Sequence, residues 1–135
     1  MKLLHGTASG NVESILRDGF EPPSYFTTIL EDAEYYAGTG GEADLQRREE
    51  AFENSTGLVA RDEYDSWEMY ERLYPAGQYP VVISLEIPDH LAEKLKADAG
   101  SMDGFSANFP IPIDCILSVS RVQWPSAFPV DRQVP

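Results

Sequence analysis

The chain has 135 residues with 42% hydrophobic content, which is the size and composition of one globular domain spanning residues 1–135. Its formal net charge of −13 at pH 7 repels phosphate backbones, so a nucleic acid is not an expected partner. The single cysteine, Cys115, excludes an internal disulfide, and neither a signal-peptide core nor a run of roughly 18 apolar residues occurs. These features predict a cytoplasmic protein, in its own or a host cell, without membrane attachment.

The first elements are a strand and a helix. Residues 2–5 are predicted to form a strand that ends at His5, because Gly6-Thr7 is expected to interrupt it. A helix follows, and Gly19 stands where a left-handed C-terminal cap is common. The apolar residues of this helix recur at the spacing of one helical face, namely Val12, Ile15, Leu16 and Phe20.

A second strand and helix come next. Pro22-Pro23 prevents further helix and directs the chain into a strand at Tyr25-Phe26-Thr27. Thr28-x-x-Glu31 has the pattern of a capping box, which predicts a helix start. That helix ends at Gly38-Thr-Gly-Gly41, and one of its sides carries Ile29, Ala33, Tyr36 and Ala37.

Residues 42–76 form an acidic helical insertion. Residues 42–72 hold ten of the 23 acidic residues, and the pattern predicts two helices near 42–54 and 61–73. Solvated helical faces are the favoured interpretation, and an acidic docking surface for a basic partner is the alternative. The residues expected to be buried are Leu45, Phe52, Trp67, Tyr70 and Leu73.

The remainder of the chain is rich in β-branched residues. Residues 80–87 predict a central strand, and Asp89 is expected to cap a helix containing Leu91 and Leu95. Two last strands are expected at 105–109 and 113–122, followed by an extended tail at about 124–135. Because strands come from both ends of the chain, the predicted fold class is an α+β sheet sandwich.

An imidazole and two phenol rings stand at the ends of separate elements. Two rings form a slot for a flat heterocycle, and His5 beside Tyr25 and Tyr36 supplies a hydrogen bond. Tyr35 is turned 100° from Tyr36 on the helix and is expected to point elsewhere. The pattern indicates a nucleotide site.

Four motifs carry a resemblance to a known family. They are Leu3-Leu-His-Gly-Thr7, Ile15-Leu-x-x-Gly-Phe20, Tyr25-Phe-Thr27 and Ala33-x-x-Tyr36-Ala37, and residues 111–116 add a weaker match near the end. In this order and spacing the chain resembles the ADP-ribosyltransferase superfamily, in its His-Tyr-Glu branch of diphtheria-toxin-like enzymes and poly(ADP-ribose) polymerases. The resemblance implies a split β-sheet sandwich with flanking helices, and NAD as donor.

The resemblance also implies a role for each matched position. His5 corresponds to the histidine that hydrogen-bonds the adenosine-side ribose of NAD, and the backbone of Gly6 to the group that holds the nicotinamide carboxamide. Thr7 falls where a hydroxyl residue assists. Tyr25 corresponds to the motif tyrosine of the second strand, and Tyr36 to the ring that stacks on nicotinamide.

The catalytic carboxylate of the family has no direct counterpart. Asp103 is the nearest acid to the expected position of the glutamate, and Asp114 is the alternative. A carboxylate is needed because cleavage of the nicotinamide–ribose bond develops positive charge on the sugar. No His/Cys/Asp spacing in the sequence suggests a metal site.

The sequence therefore predicts an NAD-dependent mono-ADP-ribosyltransferase. Its acidity favours a protein or a small molecule over a nucleic acid as acceptor, and a protein, in particular a basic one, is the expected acceptor. Size and charge would suit a bacterial or phage effector or toxin. The alternatives are a non-catalytic acidic binding or inhibitor protein on a degenerate transferase fold, and an enzyme that hydrolyses NAD or resembles RNA 2′-phosphotransferases.

Overall fold

The fold is α+β, as the sequence predicts. A computed structural model describes residues 1–64, 66–97 and 104–123, with the backbone alone described at 66 and 67. Six strands form one antiparallel sheet in the order β4-β5-β2-β1-β3-β6. The strands are β1 (Lys2–Ala8), β2 (Ser24–Thr27), β3 (Pro80–Glu86), β4 (Lys96–Ala97), β5 (Gly104–Ala107) and β6 (Ile116–Arg121).

The predicted central strand is confirmed. β3 pairs along its whole length with β1, from Lys2 opposite Glu86 to Ala8 opposite Pro80, and its other edge pairs with β6. Its run of Val, Ile and Leu is buried on both faces of the sheet, as expected of an interior strand. This strand pairs with β1 from Lys2 to Ala8 and thereby sets the position of His5, which lies opposite Ile83.

The backbone pairing of the sheet is shortest between β1 and β2. Among the described residues these two strands share one paired position, Leu4 opposite Thr27. Beyond that pair a side chain replaces the backbone ladder, because His5 Nδ1 bonds the carbonyl oxygen of Tyr25 at 2.7 Å. The sheet thus consists of two three-stranded halves that meet at one point.

Helices cover both faces of the sheet and form the inserted segment. They are α1 (Val12–Asp18), α2 (Leu30–Thr39), α3 (Glu42–Thr56), α4 (Ala60–Glu63), α5 (Ser66–Arg72) and α6 (Asp89–Ala92). None of the described helices has the length and apolarity needed to cross a bilayer.

Helix α1 buries less than its spacing predicts. Ile15 packs against the main core, but Leu16 remains 46% exposed. The helix stops at Gly19, which has φ 77° and whose N–H bonds the Ile15 carbonyl. Phe20 therefore leaves the helical register and pairs with Ile111 in an isolated bridge, where it is buried.

The predicted capping box of α2 is wrong. The helix begins at Leu30, so Thr28 lies before the cap position, and Ile29 is the N-cap without a side-chain hydrogen bond. The hydroxyl of Thr27 instead accepts the N–H of Ile29 at 3.2 Å. The C-terminal prediction is confirmed, since the helix ends before Gly40 in the left-handed conformation.

The core has one part on each face of the sheet. Small residues of α2, Ala33 and Ala37, pack on Val82 and Val122 on one face. The larger cluster on the other face includes buried Leu3, Phe20, Phe26, Ile83 and Leu85. α1 lies on this second face, so the two helices nearest His5 occupy opposite sides of the sheet.

The acidic insertion has a small core of its own. The structure has three helices where the sequence predicts two, because the second predicted helix is divided into α4 and α5. The Trp67 side chain lies outside the described residues. Leu45, Ala60 and Met69 are buried, with Phe52, Tyr64, Tyr70 and Leu73 packed against them.

The insertion is fastened to the end of α2. The hydroxyl of Tyr74, just beyond α5, donates to the Ala37 carbonyl at 2.8 Å, and Arg48 donates to the Gly38 carbonyl at 3.4 Å. These bonds satisfy carbonyls that a helix end leaves without partners. The insertion therefore supports the helix that carries Tyr36.

The segment after β3 differs from its prediction. Helix α6 has four residues, Asp89 is its first residue, and Pro88 is the N-cap. Leu91 and Leu95 pack on the main core, after which the chain forms β4. The predicted extended tail at 124–135 lies outside the described residues.

Candidate functional site

A cavity of about 600 Å³ lies at the junction of β1, β2 and α2. This volume is within the range of small-molecule sites. The lining residues that matter for its chemistry are His5, Gly6, Tyr25, Asp32, Tyr36 and Glu42.

His5 is the most constrained polar group of the cavity. Its ring packs against Phe20 and Phe26, with centroid distances of 4.9 and 5.6 Å. Burial lowers the pKa of His5, and its bond to the Tyr25 carbonyl opposes that shift only in part. Because a carbonyl only accepts, Nδ1 carries the hydrogen of the neutral ring. Nε2 is then a hydrogen-bond acceptor.

Lowering the pH should destabilise the protein through His5. The unfolded chain binds a proton near the ordinary pKa of 6.5, whereas the folded chain binds it only at lower pH. The contribution of this group is therefore complete above pH 6.5 and is lost as the pH falls through the lowered pKa. Urea denaturation at several pH values between about 5 and 7 gives the free energy of unfolding of wild type and of His5→Phe. The free energy should fall more steeply with decreasing pH in wild type than in the variant. The same pH dependence of the free energy of unfolding in both proteins would contradict a lowered pKa of His5.

Two half-exposed phenol rings stand at the cavity. Tyr25 is 53% exposed and Tyr36 is 54% exposed. Tyr25 faces outward because its strand neighbours Ser24 and Phe26 are buried. Tyr36 lies against Gly41, where an added Cβ would be 3.2 Å from the phenol oxygen. Rings of this kind offer faces for stacking a planar ligand.

Gly6 is required by the packing of α2 on β1. A Cβ at this position would lie 2.0 Å from the Ala33 carbonyl oxygen and 2.7 Å from the Ala37 nitrogen. No side chain fits in that space, so the helix approaches the strand backbone directly. Gly6 thereby brings Tyr36 close to His5.

The structure brings together four of the predicted site residues. His5, Gly6, Tyr25 and Tyr36 all line the large cavity. Thr7 does not, because its side chain lies in a second cavity of about 370 Å³, where its hydroxyl accepts a hydrogen bond from Asn11.

Of the two predicted carboxylates, Asp114 lies among the described residues. Asp114 is exposed in the turn Ile113–Cys115 and lines neither cavity, because this turn leads the chain into β6 at the far edge of the sheet. Asp103 lies outside the described residues, immediately before Gly104, which does line the large cavity.

Sequence reasoning missed three residues of the cavity. Tyr35 lines it beside Tyr36, and its ring contacts Tyr70 edge-on at 6.2 Å. Asp32 was detectable, since it lies four residues before Tyr36 on the same helical face. Glu42 had no local signal, because the turn at Gly40-Gly41 brings it to the cavity.

Within the part of the chain that the structure describes, no three His, Cys, Asp or Glu side chains form a group that could hold a metal ion. No protein-family model and no curated protein sequence matches this chain. The family resemblance therefore stays a prediction from the motifs.

Proposed function

We propose that the protein is a mono-ADP-ribosyltransferase of the ADP-ribosyltransferase fold, which uses NAD and modifies a protein acceptor. One observation supports this above all: His5, Tyr25 and Tyr36, which come from three separate elements, line one cavity where the sheet divides. The motifs that resemble the family are the same residues.

The cavity provides a group for each part of the donor. The rings of Tyr25 and Tyr36 would hold the planar nicotinamide, and the backbone of Gly6 would hold its carboxamide. The bare Nε2 of His5 would accept a hydrogen bond from a ribose hydroxyl. A neutral His5 is suited to this role, because a protonated ring could only donate.

A carboxylate of the cavity would assist the bond cleavage. The nicotinamide–ribose bond breaks and its electron pair leaves with nicotinamide, so positive charge develops on the sugar. A carboxylate stabilises that charge and takes the proton that the acceptor nucleophile loses when it bonds the ribose carbon. Asp32 and Glu42 are the described acids positioned for this role.

Substitution of these acids separates catalysis from binding. If Asp32 is the catalytic carboxylate, Asp32→Asn should reduce the transfer rate about a hundredfold, and if Glu42 is, Glu42→Gln should do so. In either case the NAD affinity should change little. Rates with labelled NAD and calorimetric affinities provide the two measurements.

Glu31→Gln is the matched control, since this exposed acid precedes Asp32 on α2 but does not line the cavity. Full activity in both cavity variants would exclude Asp32 and Glu42 as the catalytic carboxylate and leave Asp103 as the candidate.

The charge of the site favours a basic acceptor. Neither described cavity is lined by lysine or arginine, while Asp32 and Glu42 line the larger one. Glu42 is also the first residue of α3, so the acidic insertion begins at this cavity. A cationic protein would therefore be attracted to the entrance.

Incubation with labelled NAD and cell lysate tests the proposal. We expect NAD binding by calorimetry, and mass spectrometry should find ADP-ribose on a basic protein. A folded protein that neither binds NAD nor transfers ADP-ribose would refute the proposal. Free ADP-ribose without labelled protein would identify an NAD hydrolase, and capture of a basic protein without NAD would support the non-catalytic alternative.

A further inference from the structure

The second cavity shares His5 and Tyr25 with the first but lies on the α1 side of the sheet. It encloses about 370 Å³, and its wall is rich in polar side chains. Because His5 and Tyr25 line both cavities, an extended ligand seated along these two residues would contact both. The polar residues of the wall are Thr7, Asn11, Ser14, Asp18, Glu21 and Ser24.

Ser24 differs from the other uncharged polar residues of this wall. It is only 6% exposed, and its hydroxyl has no hydrogen-bond partner among the described residues. By contrast, Asn11 donates to the Thr7 hydroxyl at 2.9 Å, and Ser14 donates to the Asn11 carbonyl at 3.1 Å. Native proteins rarely bury a hydroxyl without a partner, so an unpaired one at a cavity wall points to a bound group.

The position of Ser24 follows from strand alternation. In β2 it shares a face with Phe26, which belongs to the main core, while Tyr25 points to the other side. Its paired neighbour on β5 is Ala107, which is fully buried and has no side-chain polar atom to offer. The second cavity is the remaining source of a partner.

The charges of the wall define the class of ligand group. Asp18 and Glu21 are acidic, Arg17 is engaged by Asp18 at 3.1 Å, and no lysine or arginine lines the cavity. A terminal phosphate would be repelled here. An uncharged group that carries hydroxyls, such as a ribose, is compatible with both the acids and the serine.

We infer that Ser24 is a specificity-determining residue that hydrogen-bonds a ribose hydroxyl in the adenosine half of the donor. This inference rests on the proposed function, since it places the nicotinamide half in the large cavity. His5 and Tyr25, which line both cavities, connect the two halves of the site. This bond would give the Ser24 hydroxyl the partner that it does not have among the described residues.

Ser24→Ala tests this inference with ADP-ribose as the probe. Calorimetry should show about tenfold weaker binding than in wild type, because one buried hydrogen bond is lost. Without ligand, the melting temperature should stay the same or rise, because an unpaired buried hydroxyl has been removed. Ser118→Ala, at an exposed serine of β6, is the control and should change neither quantity.

Analogues of ADP-ribose that lack the 2′- or 3′-hydroxyl of the adenosine ribose identify the bonded group. Wild type should bind the analogue that lacks the bonded hydroxyl about tenfold more weakly than ADP-ribose. Ser24→Ala should bind that analogue and ADP-ribose with equal affinity. A lower melting temperature with unchanged ADP-ribose affinity would assign Ser24 a structural role and overturn the inference. Failure of wild type to bind either NAD or ADP-ribose would overturn the proposed function as well.

Discussion

Gly6→Ala is expected to lower the free energy of unfolding by about 3 kcal/mol or more. The added methyl group would overlap the Ala33 carbonyl oxygen, 2.0 Å away, and the Ala37 nitrogen, 2.7 Å away. Both are backbone atoms of α2, so no side-chain rotation relieves the overlap and the helix must move. Urea denaturation measures the loss.

Gly77→Ala provides the matched control for this substitution. Gly77 has φ 76° and no atom within 4 Å of an added Cβ, so its replacement costs only the strain of the left-handed conformation, about 1 kcal/mol. Equal losses in the two variants would contradict the close approach of α2 to β1. A folded Gly6→Ala protein should also bind NAD more weakly, because displaced α2 moves Tyr36.

His5→Phe is expected to reduce transfer from NAD at least a hundredfold. Phenylalanine keeps an aromatic ring against Phe20 and Phe26 but has no nitrogen to accept a ribose hydrogen bond or to bond the Tyr25 carbonyl. The transfer rate should therefore fall even under conditions in which the His5→Phe protein stays fully folded. Initial rates with labelled NAD, together with thermal unfolding of the same samples, separate the two effects.

His90→Phe is the control for the loss of an imidazole. His90 is exposed on α6 and lines neither cavity, so its replacement should leave transfer unchanged. Undiminished transfer by a folded His5→Phe protein would remove His5 from the site and, with it, the principal support for the proposed function.

Local patterns predicted most of the secondary structure. The apolar β-branched run at β3 and the glycines at the ends of α1 and α2 lie where the sequence indicated. The errors arose where a local pattern competed with backbone geometry. Thr28 has the capping-box pattern, but Thr27 makes the side-chain bond because the helix starts at Leu30.

The site was predicted unevenly for a related reason. His5, Tyr25 and Tyr36 were identified because each stands at a recognisable position of a short motif. Glu42 was missed because only the turn at Gly40-Gly41 directs it back to the cavity. Tyr35 was assigned elsewhere because helical spacing alone does not reveal how widely a cavity opens.

The sequence by itself determined the central strand β3, the C-terminal ends of α1 and α2, and the aromatic and imidazole groups of the cavity, because these depend on neighbours a few residues apart. The tertiary structure alone decided that β1 and β2 part after one pair and which carboxylates face the cavity. It also decided that the buried Ser24 hydroxyl has no partner among the described residues. These features depend on how α2 packs against β1 and how β5 pairs with β2, which are contacts between residues distant in the chain.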